Sequence, residues 1–370
     1  MRFTMLAAAS FFALAACGQP SRSAPAPEGP PQISMTEQVR SEMQRVNTAR
    51  LTVAMPETMT ERPAPAAAEG STPAATAPRY DAGLVRVQTL LDRAHFSPGV
   101  IDGFDGENVR KAIAAYQRAN DLPETGRADD ALLARLEQAD ASPALVPYVL
   151  TEADVSGPFV DVPTEMEAQA SLARVGYESA PEALAEQFHM DADLLQTLNP
   201  GVDFSRAGVE IVVANAGGEL SAQVARIEID KAALTLRAYD AADRMLAFYP
   251  VTIGAGNTPS GELEVTGIAF DPTYNYDADE LPAFNDNSGR RFTIQPGPNN
   301  PVGLVWIALN SDGYGLHGTP NPSLISKSSS RGCVRLTNWD AVELGRAVQA
   351  GVPVNFNAGG DQARRATSRG

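Results

Sequence analysis

The sequence predicts an α+β multidomain chain, with a small helical bundle followed by a small α/β unit and a mainly β domain. Three observations carry this. Apolar residues recur at helical spacing on both sides of a glycine turn between about 81 and 136. A helix-turn-helix pattern closed by a short apolar strand runs from about 177 to 213, and from Val224 onward short alternating runs are separated by turn residues. The 370 residues suit two or three small domains once the terminal segments are set aside, and 44% apolar content is ordinary for folded proteins. A formal net charge of −16 argues against nucleic acid as a partner, because phosphate binding needs concentrated Lys and Arg.

Residues 1–16 place Arg2 ahead of an apolar core with Met5, Leu6, Phe11, Phe12 and Leu14, too short to cross a bilayer as a mature helix, and read as a signal peptide. Leu14-Ala15-Ala16-Cys17 resembles the bacterial lipobox, which implies lipidation of Cys17. Gly18, where an Asp would favour the inner membrane, implies the outer membrane of a Gram-negative cell. The expectation is a periplasmic protein held to the membrane by its N-terminal lipid; ordinary cleavage at Ala13-Leu14-Ala15 is the alternative. Residues 17–80 are expected to be a Pro/Ala-rich linker, as in Pro25-Ala26-Pro27 and Pro63-Ala64-Pro65-Ala66. Met35, Val39, Met43, Val46 and Val53 fall near helical spacing, so the linker carries a solvated, nascent helix around 35–54. A flexible tail is expected over 358–370.

The helical bundle is assigned to 81–140. Val85, Leu90, Leu91 and Ala94 give one helix, and Val109, Ile113, Tyr116 and Gln117 give another. Between them, Gly103 and Gly106 are expected to supply positive φ and Asp102 to cap the turn. Gln88, Leu91, Asp102-Gly103-Phe104, Gly106, Ala112, Gln117, Leu122 and Gly126 resemble the peptidoglycan-binding domain 1 family, which implies contact with glycan or stem peptide. Two positions depart from that family's pattern, His95 for a frequent glycine and Asn108 for a threonine.

The α/β unit is assigned to 170–215. Ala185, Phe188, Leu194, Leu195 and Leu198 give a helix-turn-helix pattern, Asn199-Pro200-Gly201 stops it, and Val209 to Val213 reads as a strand. The order resembles a LysM module, although the usual Gly-Asp-Thr opening is Ser179-Ala180-Pro181. Glycan binding and a spacer role both remain open for it.

The β domain is assigned to 222–357. Strands are predicted at 226–230, 233–236, 246–253, 262–268, 304–309 and 352–356, with a helix at 338–348. Residues 271–298 form a long excursion with Tyr274, Tyr276, Phe284 and Phe292, read as either a flap or a structural loop. Near its end stand His317-Gly318-Thr319 and Ser330-Arg331-Gly332-Cys333-Val334-Arg335-Leu336. The chain has two cysteines, and if Cys17 is consumed in processing no second sulfur is left for an intramolecular disulfide. Cys333 is then the candidate nucleophile. A thiol attacks an amide as its thiolate, which calls for a base or a positive charge beside it. Of three histidines, His95, His189 and His317, only His317 falls in the same predicted domain, which makes it the candidate general base and acid. Gly332 permits a tight turn, so amides around Gly332 and Cys333 can form an oxyanion loop, with Tyr314 a weaker donor candidate. Arg335 either binds a substrate carboxylate or braces the loop.

Thr258-Pro259-Ser260-Gly261, Asn300-Pro301-Val302-Gly303, His317-Gly318-Thr319, Ser330-x-Gly332-Cys333-Val334-Arg335-Leu336 and Asp340 together resemble the L,D-transpeptidase (YkuD-type) catalytic family over about 135 residues. The resemblance implies acyl transfer on peptidoglycan through a cysteine thioester. A tetrapeptide stem is the donor, terminal D-Ala leaves, and the amine of diaminopimelate accepts to give a 3-3 crosslink. It also implies substrate contacts from Gly318, Thr319, Ser330, Arg331 and Tyr314. Many family members carry His where this chain has Arg331, leaving His317 as sole imidazole and Arg331 as a charge that favours thiolate. No cofactor or metal is implied, since there is no H-E-x-x-H pattern and the histidines are scattered. The alternatives are hydrolysis of the same thioester by water, attachment of outer-membrane proteins to the wall, or a non-catalytic wall-binding lipoprotein.

Overall fold

A computed structural model describes residues 32–51, 80–254, 259–278, 289–328 and 332–357. The predicted signal peptide, Cys17, the linker segment 52–79 and the tail 358–370 lie outside these residues.

In chain order the elements are α1 (Glu37–Asn47), α2 (Ala82–Arg93), α3 (Glu107–Ala119), α4 (Asp130–Ala139), β1 (Leu145–Val149), α5 (Glu152–Ser156), α6 (Met166–Gln169), α7 (Ala180–Gln187), α8 (Ala192–Leu198) and β2 (Glu210–Ala214). There follow β3 (Arg226–Asp230), β4 (Thr235–Tyr239), β5 (Met245–Pro250), β6 (Thr252–Ile253), β7 (Gly261–Phe270), β8 (Tyr274–Asp277), β9 (Arg291–Ile294), β10 (Val305–Leu309), β11 (Gly315–His317), β12 (Val334–Arg335), α9 (Asn338–Ala347) and β13 (Pro353–Asn357).

The β domain is a nine-stranded sheet in the order β5-β4-β3-β13-β7-β10-β11-β12-β6. Its two edges belong to one run of chain, because β6 follows β5 after Val251. The long β7 serves both halves: Gly261 to Glu264 pairs with β13 and Val265 to Phe270 pairs with β10. The sheet therefore folds on itself, and alternating inward residues such as Ile227, Ile229, Leu236, Val265, Val305, Ile307 and Val354 fill the interior. Helix α9 closes it with Ala341, Leu344 and Ala347.

The helical module is α2, α3 and α4 around Val87, Leu91, Val109, Ile113, Leu132 and Leu136. Gln88 explains its turn. The Gln88 amide donates to Asp102 Oδ1 at 2.8 Å and accepts from the Gly103 and Asp102 N–H groups at 2.7 and 3.1 Å, which satisfies a buried turn that has no ladder of its own. Gly103 has φ 76°, as expected. Gly106 does not: it is the extended N-cap of α3 at φ −103° and ψ 170°, so of this pair Gly103 alone takes the left-handed region. His95, standing at the glycine position of the family pattern, adopts φ 66°.

The α/β unit pairs β1 and β2 antiparallel, with α7 and α8 between them in sequence. Its first strand lies at 145–149, upstream of the 170–215 boundary read from sequence. The expected solvated linker is also corrected here. Helix α1 is docked, with Met35, Val39 and Val46 buried in the same core as Leu184, Leu195 and Ile211. Each such buried side chain contributes on the order of 1.5–3 kcal/mol. Thr36 caps the helix by accepting from Val39 N–H, and Ile33 bridges to Val209.

The modules interlock through backbone as well as side chains. Phe96 bridges the edge strand β5 at Phe248, which covers an otherwise open edge, and Ile101 bridges Met190. Along helix α9, His95 Nδ1 lies 2.7 Å from Glu343, Ser97 donates to Asp340 at 3.0 Å, and His189 stacks on Trp339 at 5.1 Å. The excursion at 271–298 forms the β8–β9 hairpin, with Tyr276 stacked on Phe292 at 4.6 Å. Its described contacts include several to the 165–176 segment, through Asp271–Arg174, Arg290–Glu167 and the Val175 N–H donated to Pro296. Phe284 lies outside the described residues.

Candidate active site

Three short strands assemble the site. Trp306 on β10 is opposite His317 on β11, and parallel pairing sets His317 beside Arg335 on β12. Paired residues project to one face of a sheet and residues two apart share that face, so Cys333, just before β12, belongs with Arg335, His317 and Trp306. The 16-residue gap between His317 and Cys333 is thus a loop that returns the chain to an adjacent parallel strand. Gly332 has φ 142°, and a Cβ there would stand 3.3 Å from the Tyr314 ring, so the turn before the thiol requires glycine.

His317 is buried, stacked on Trp306 at 5.6 Å, and its Nδ1 lies 2.7 Å from the Gly318 carbonyl. A carbonyl only accepts, so Nδ1 carries the proton and Nε2 keeps its lone pair. Burial, reinforced by the Arg335 cation, pushes the imidazole down to about 4 against the opposing pull of the Gly318 bond. Half-buried Cys333 lies with Sγ 3.5 Å from the Gly313 carbonyl. Burial holds its thiol above the ordinary value, while the Gly315 N–H and Arg335 draw it down. The resting pair is therefore a neutral imidazole and a thiol, not an ion pair. Such an imidazole is ready to take a proton at any pH near neutral.

Gly318 and Thr319 are buried at the end of β11, where Thr319 Oγ1 accepts from Asn321 N–H at 3.3 Å. Tyr314 flanks Gly332. Ser330 and Arg331 lie outside the described residues, and the cation described beside both reacting groups is Arg335. His95 and His189 meet helix α9, not the strand pair that carries the thiol. Three contributors escaped the sequence reading. Trp306 stacks on the imidazole, Asn300 folds the turn into β10 by accepting from Val302 N–H at 2.9 Å, and buried Asn338 is hydrogen-bonded to both Leu304 and Glu186. Asn300 stood in a quoted motif, but its role depends on a turn that spacing does not reveal. Among the described residues, no group of three or more His, Cys, Asp or Glu is placed to hold a metal ion.

A thiol and a proton-accepting imidazole on one face of a folded β-sheet, beside a glycine turn, are the parts of a cysteine-dependent acyl-transfer enzyme. Residues 224–355 match the L,D-transpeptidase catalytic domain family, YkuD, and residues 81–136 match a peptidoglycan-binding domain family. The chain is 30% identical over 179 residues to a Bacillus licheniformis protein bearing the name L,D-transpeptidase YkuD, covering 47% of this chain and 92% of that one. It is 30% identical over 184 residues to an Escherichia coli protein named as the L,D-transpeptidase YcfS, covering 47% and 58%. Among solved structures it is similar to an L,D-transpeptidase from Mycobacterium smegmatis, at 20% identity and TM-score 0.30, covering 41% of this chain and 64% of that one. Another is the L,D-transpeptidase of Xylanimonas cellulosilytica, at 15% identity and TM-score 0.32, covering 78% and 100%. The chain belongs to the YkuD family of L,D-transpeptidases, cysteine-dependent acyltransferases that act on peptidoglycan.

Proposed function

We propose that this chain forms 3-3 crosslinks between stem peptides, with Cys333 as nucleophile and His317 as general base and acid. The observation that supports the proposal is the parallel β11–β12 register, which pairs His317 with Arg335, two residues after Cys333. His317 Nε2 takes the Cys333 proton as sulfur attacks the carbonyl of the third stem residue. Amides of Gly332 and Cys333 receive the developing oxyanion. The imidazolium then protonates the departing D-Ala amine, leaving a thioester. A diaminopimelate amine attacks that thioester, gives its proton to His317 and closes the amide, returning the thiol. Arg335 acts by keeping His317 neutral between turnovers and drawing Cys333 toward thiolate. Gly318, Thr319 and Tyr314 line the substrate side, and Ser330 and Arg331 are assigned substrate contact by their place in the family motif.

The LysM-like β1-α7-α8-β2 unit holds the glycan strand alongside the peptidoglycan-binding module. Lipidated Cys17 anchors the protein to the outer membrane facing the periplasm. The test is incubation of the full chain with purified disaccharide-tetrapeptide and mass spectrometry of the products. A 3-3 dimer with release of D-Ala is expected. Tripeptide alone would replace transfer by hydrolysis, and full activity in Cys333→Ala would overturn the mechanism.

A further inference from the structure

The imidazole of His317 is oriented by one bond, from Nδ1 to the Gly318 carbonyl. The Gly318 peptide is held by its N–H to the Val305 carbonyl at 3.2 Å and by packing against Asn338, which in turn reaches outside the β domain. The Asn338 side chain, fully buried at the start of α9, fills a crevice between two glycines: a Cβ on Gly303 or Gly318 would come within 2.0 or 2.2 Å of its Oδ1. That oxygen accepts from Leu304 N–H at 3.1 Å, and Nδ2 donates to the Pro298 carbonyl at 3.0 Å. Nδ2 also reaches the carboxyl group of Glu186, at 3.0 and 3.1 Å to its two oxygens. Glu186 sits on α7 of the α/β unit, 152 residues away in sequence, and its carboxyl group accepts a second bond from Tyr177 at 3.0 Å.

We infer that Glu186 is a positioning residue for acyl transfer: through Asn338 it fixes the Gly303–Gly318 crevice, and with it the carbonyl that holds the His317 tautomer. The accessory unit thereby supplies part of the catalytic domain's support. The physical reason is reach. An asparagine amide rotates about its last torsion unless both ends are engaged. Asn338 Oδ1 is held by the Leu304 N–H and Nδ2 by the Pro298 carbonyl, and the Glu186 carboxyl group is the further Nδ2 acceptor that comes from the α/β unit. Burial raises the Glu186 carboxyl to about 7, which is consistent with a group removed from water to serve a neighbour. The inference rests on His317 acting as the base.

The experiment uses the full chain, with kcat and KM measured by D-Ala release and imidazole ¹⁵N shifts read in protein labelled at its three histidines. Glu186→Ala is expected to lower kcat about 10- to 100-fold with little change in KM, and to move the His317 nitrogens from a pure Nδ1–H tautomer toward a mixture. Glu186→Gln, which keeps an acceptor, retains most of the wild-type kcat. Asn338→Asp turns an oxygen toward Glu186 and is expected to lose activity, and adding Glu186→Gln, whose amide now donates, restores it. A folded Glu186→Ala protein with wild-type kcat and unmoved His317 nitrogens would overturn the inference. If Glu186→Ala does not fold, absence of rescue in the double variant overturns it. If His317 is not the base, its own replacement leaves turnover intact while the ¹⁵N shifts still report the crevice, so the two failures are separable.

Discussion

His317 and His189 are both drawn out of water, and burial works against the charged imidazole at each, yet the two are pushed in opposite directions. At His317 the neighbours are a neutral carbonyl and the Arg335 cation, and the imidazole falls to about 4. At His189 the neighbour is the Asp92 carboxylate, 2.9 Å from Nδ1, with Asp340 and Glu343 behind it, and the imidazole rises above its ordinary value. The charge of the partner therefore decides the sign, and burial alone predicts neither. The consequence is a division of labour. One histidine is shifted toward its neutral form, as the proposed proton transfer requires, while the other is shifted toward its charged form between Asp92 and the face of Trp339, where it ties α2 and the α/β unit to helix α9.

The largest effect should come from breaking the first environment. His317→Gln is expected to lower kcat/KM about 100- to 10,000-fold, since no other described imidazole stands on the thiol's face. The sharper test is the pH profile of kcat/KM for the wild type. Above about 4 the resting imidazole is neutral and competent, and below it the imidazole is protonated and activity falls. An acid limb near the ordinary histidine value would show that Arg335 and burial do not act on His317 as described.

The second environment breaks through Asp92. Asp92→Ala removes the acceptor of both His189 and the Gly217 N–H, the latter at 2.7 Å. Stranding one partner of an enclosed pair is expected to cost about 3 kcal/mol in chemical denaturation. The pH dependence has a definite sign. A raised imidazole contributes fully below its unfolded value of about 6.5 and loses that contribution as pH climbs through the folded value. The gap between wild type and variant should thus be widest in mild acid and narrow toward alkaline pH. An equal gap at every pH would mean that His189 is neutral in its pocket.

This contrast was only half legible in the sequence. Cys333 and His317 stand in ordered motifs of one domain, so their pairing could be read from spacing and chemistry. His189, Asp92 and Trp339 come from three modules, and nothing in local pattern foretells a stack between positions 150 residues apart. The same holds for Glu186 and Asn338. Helix α1 failed differently: Val39 and Val46 carry a helical period, but the surrounding Pro/Ala-rich composition argued for solvent, and the partners that bury them, Leu195 and Ile211, lie far downstream. Gly106 shows a further limit. Composition marks where a turn is, while the hydrogen bonds of Gln88 decide which glycine must take positive φ.

The smallest effect belongs to His95, where two small terms compete. Its pair with Glu343 is part-exposed, with the histidine side chain 25% accessible, and such a pair contributes roughly 0.2–1 kcal/mol. Its φ of 66° works against it, because a side chain in the left-handed region costs about 1 kcal/mol relative to glycine. His95→Gly therefore loses the ion pair but relieves the backbone, and its stability should stay within about 0.5 kcal/mol of the wild type. His95→Ala loses the pair and keeps the strain, so denaturation should find it about 1 kcal/mol less stable than the glycine variant. Should glycine prove as damaging as alanine, the left-handed backbone costs less here than the steric argument implies; should both fall well below the wild type, the bond to Glu343 is stronger than its exposure implies.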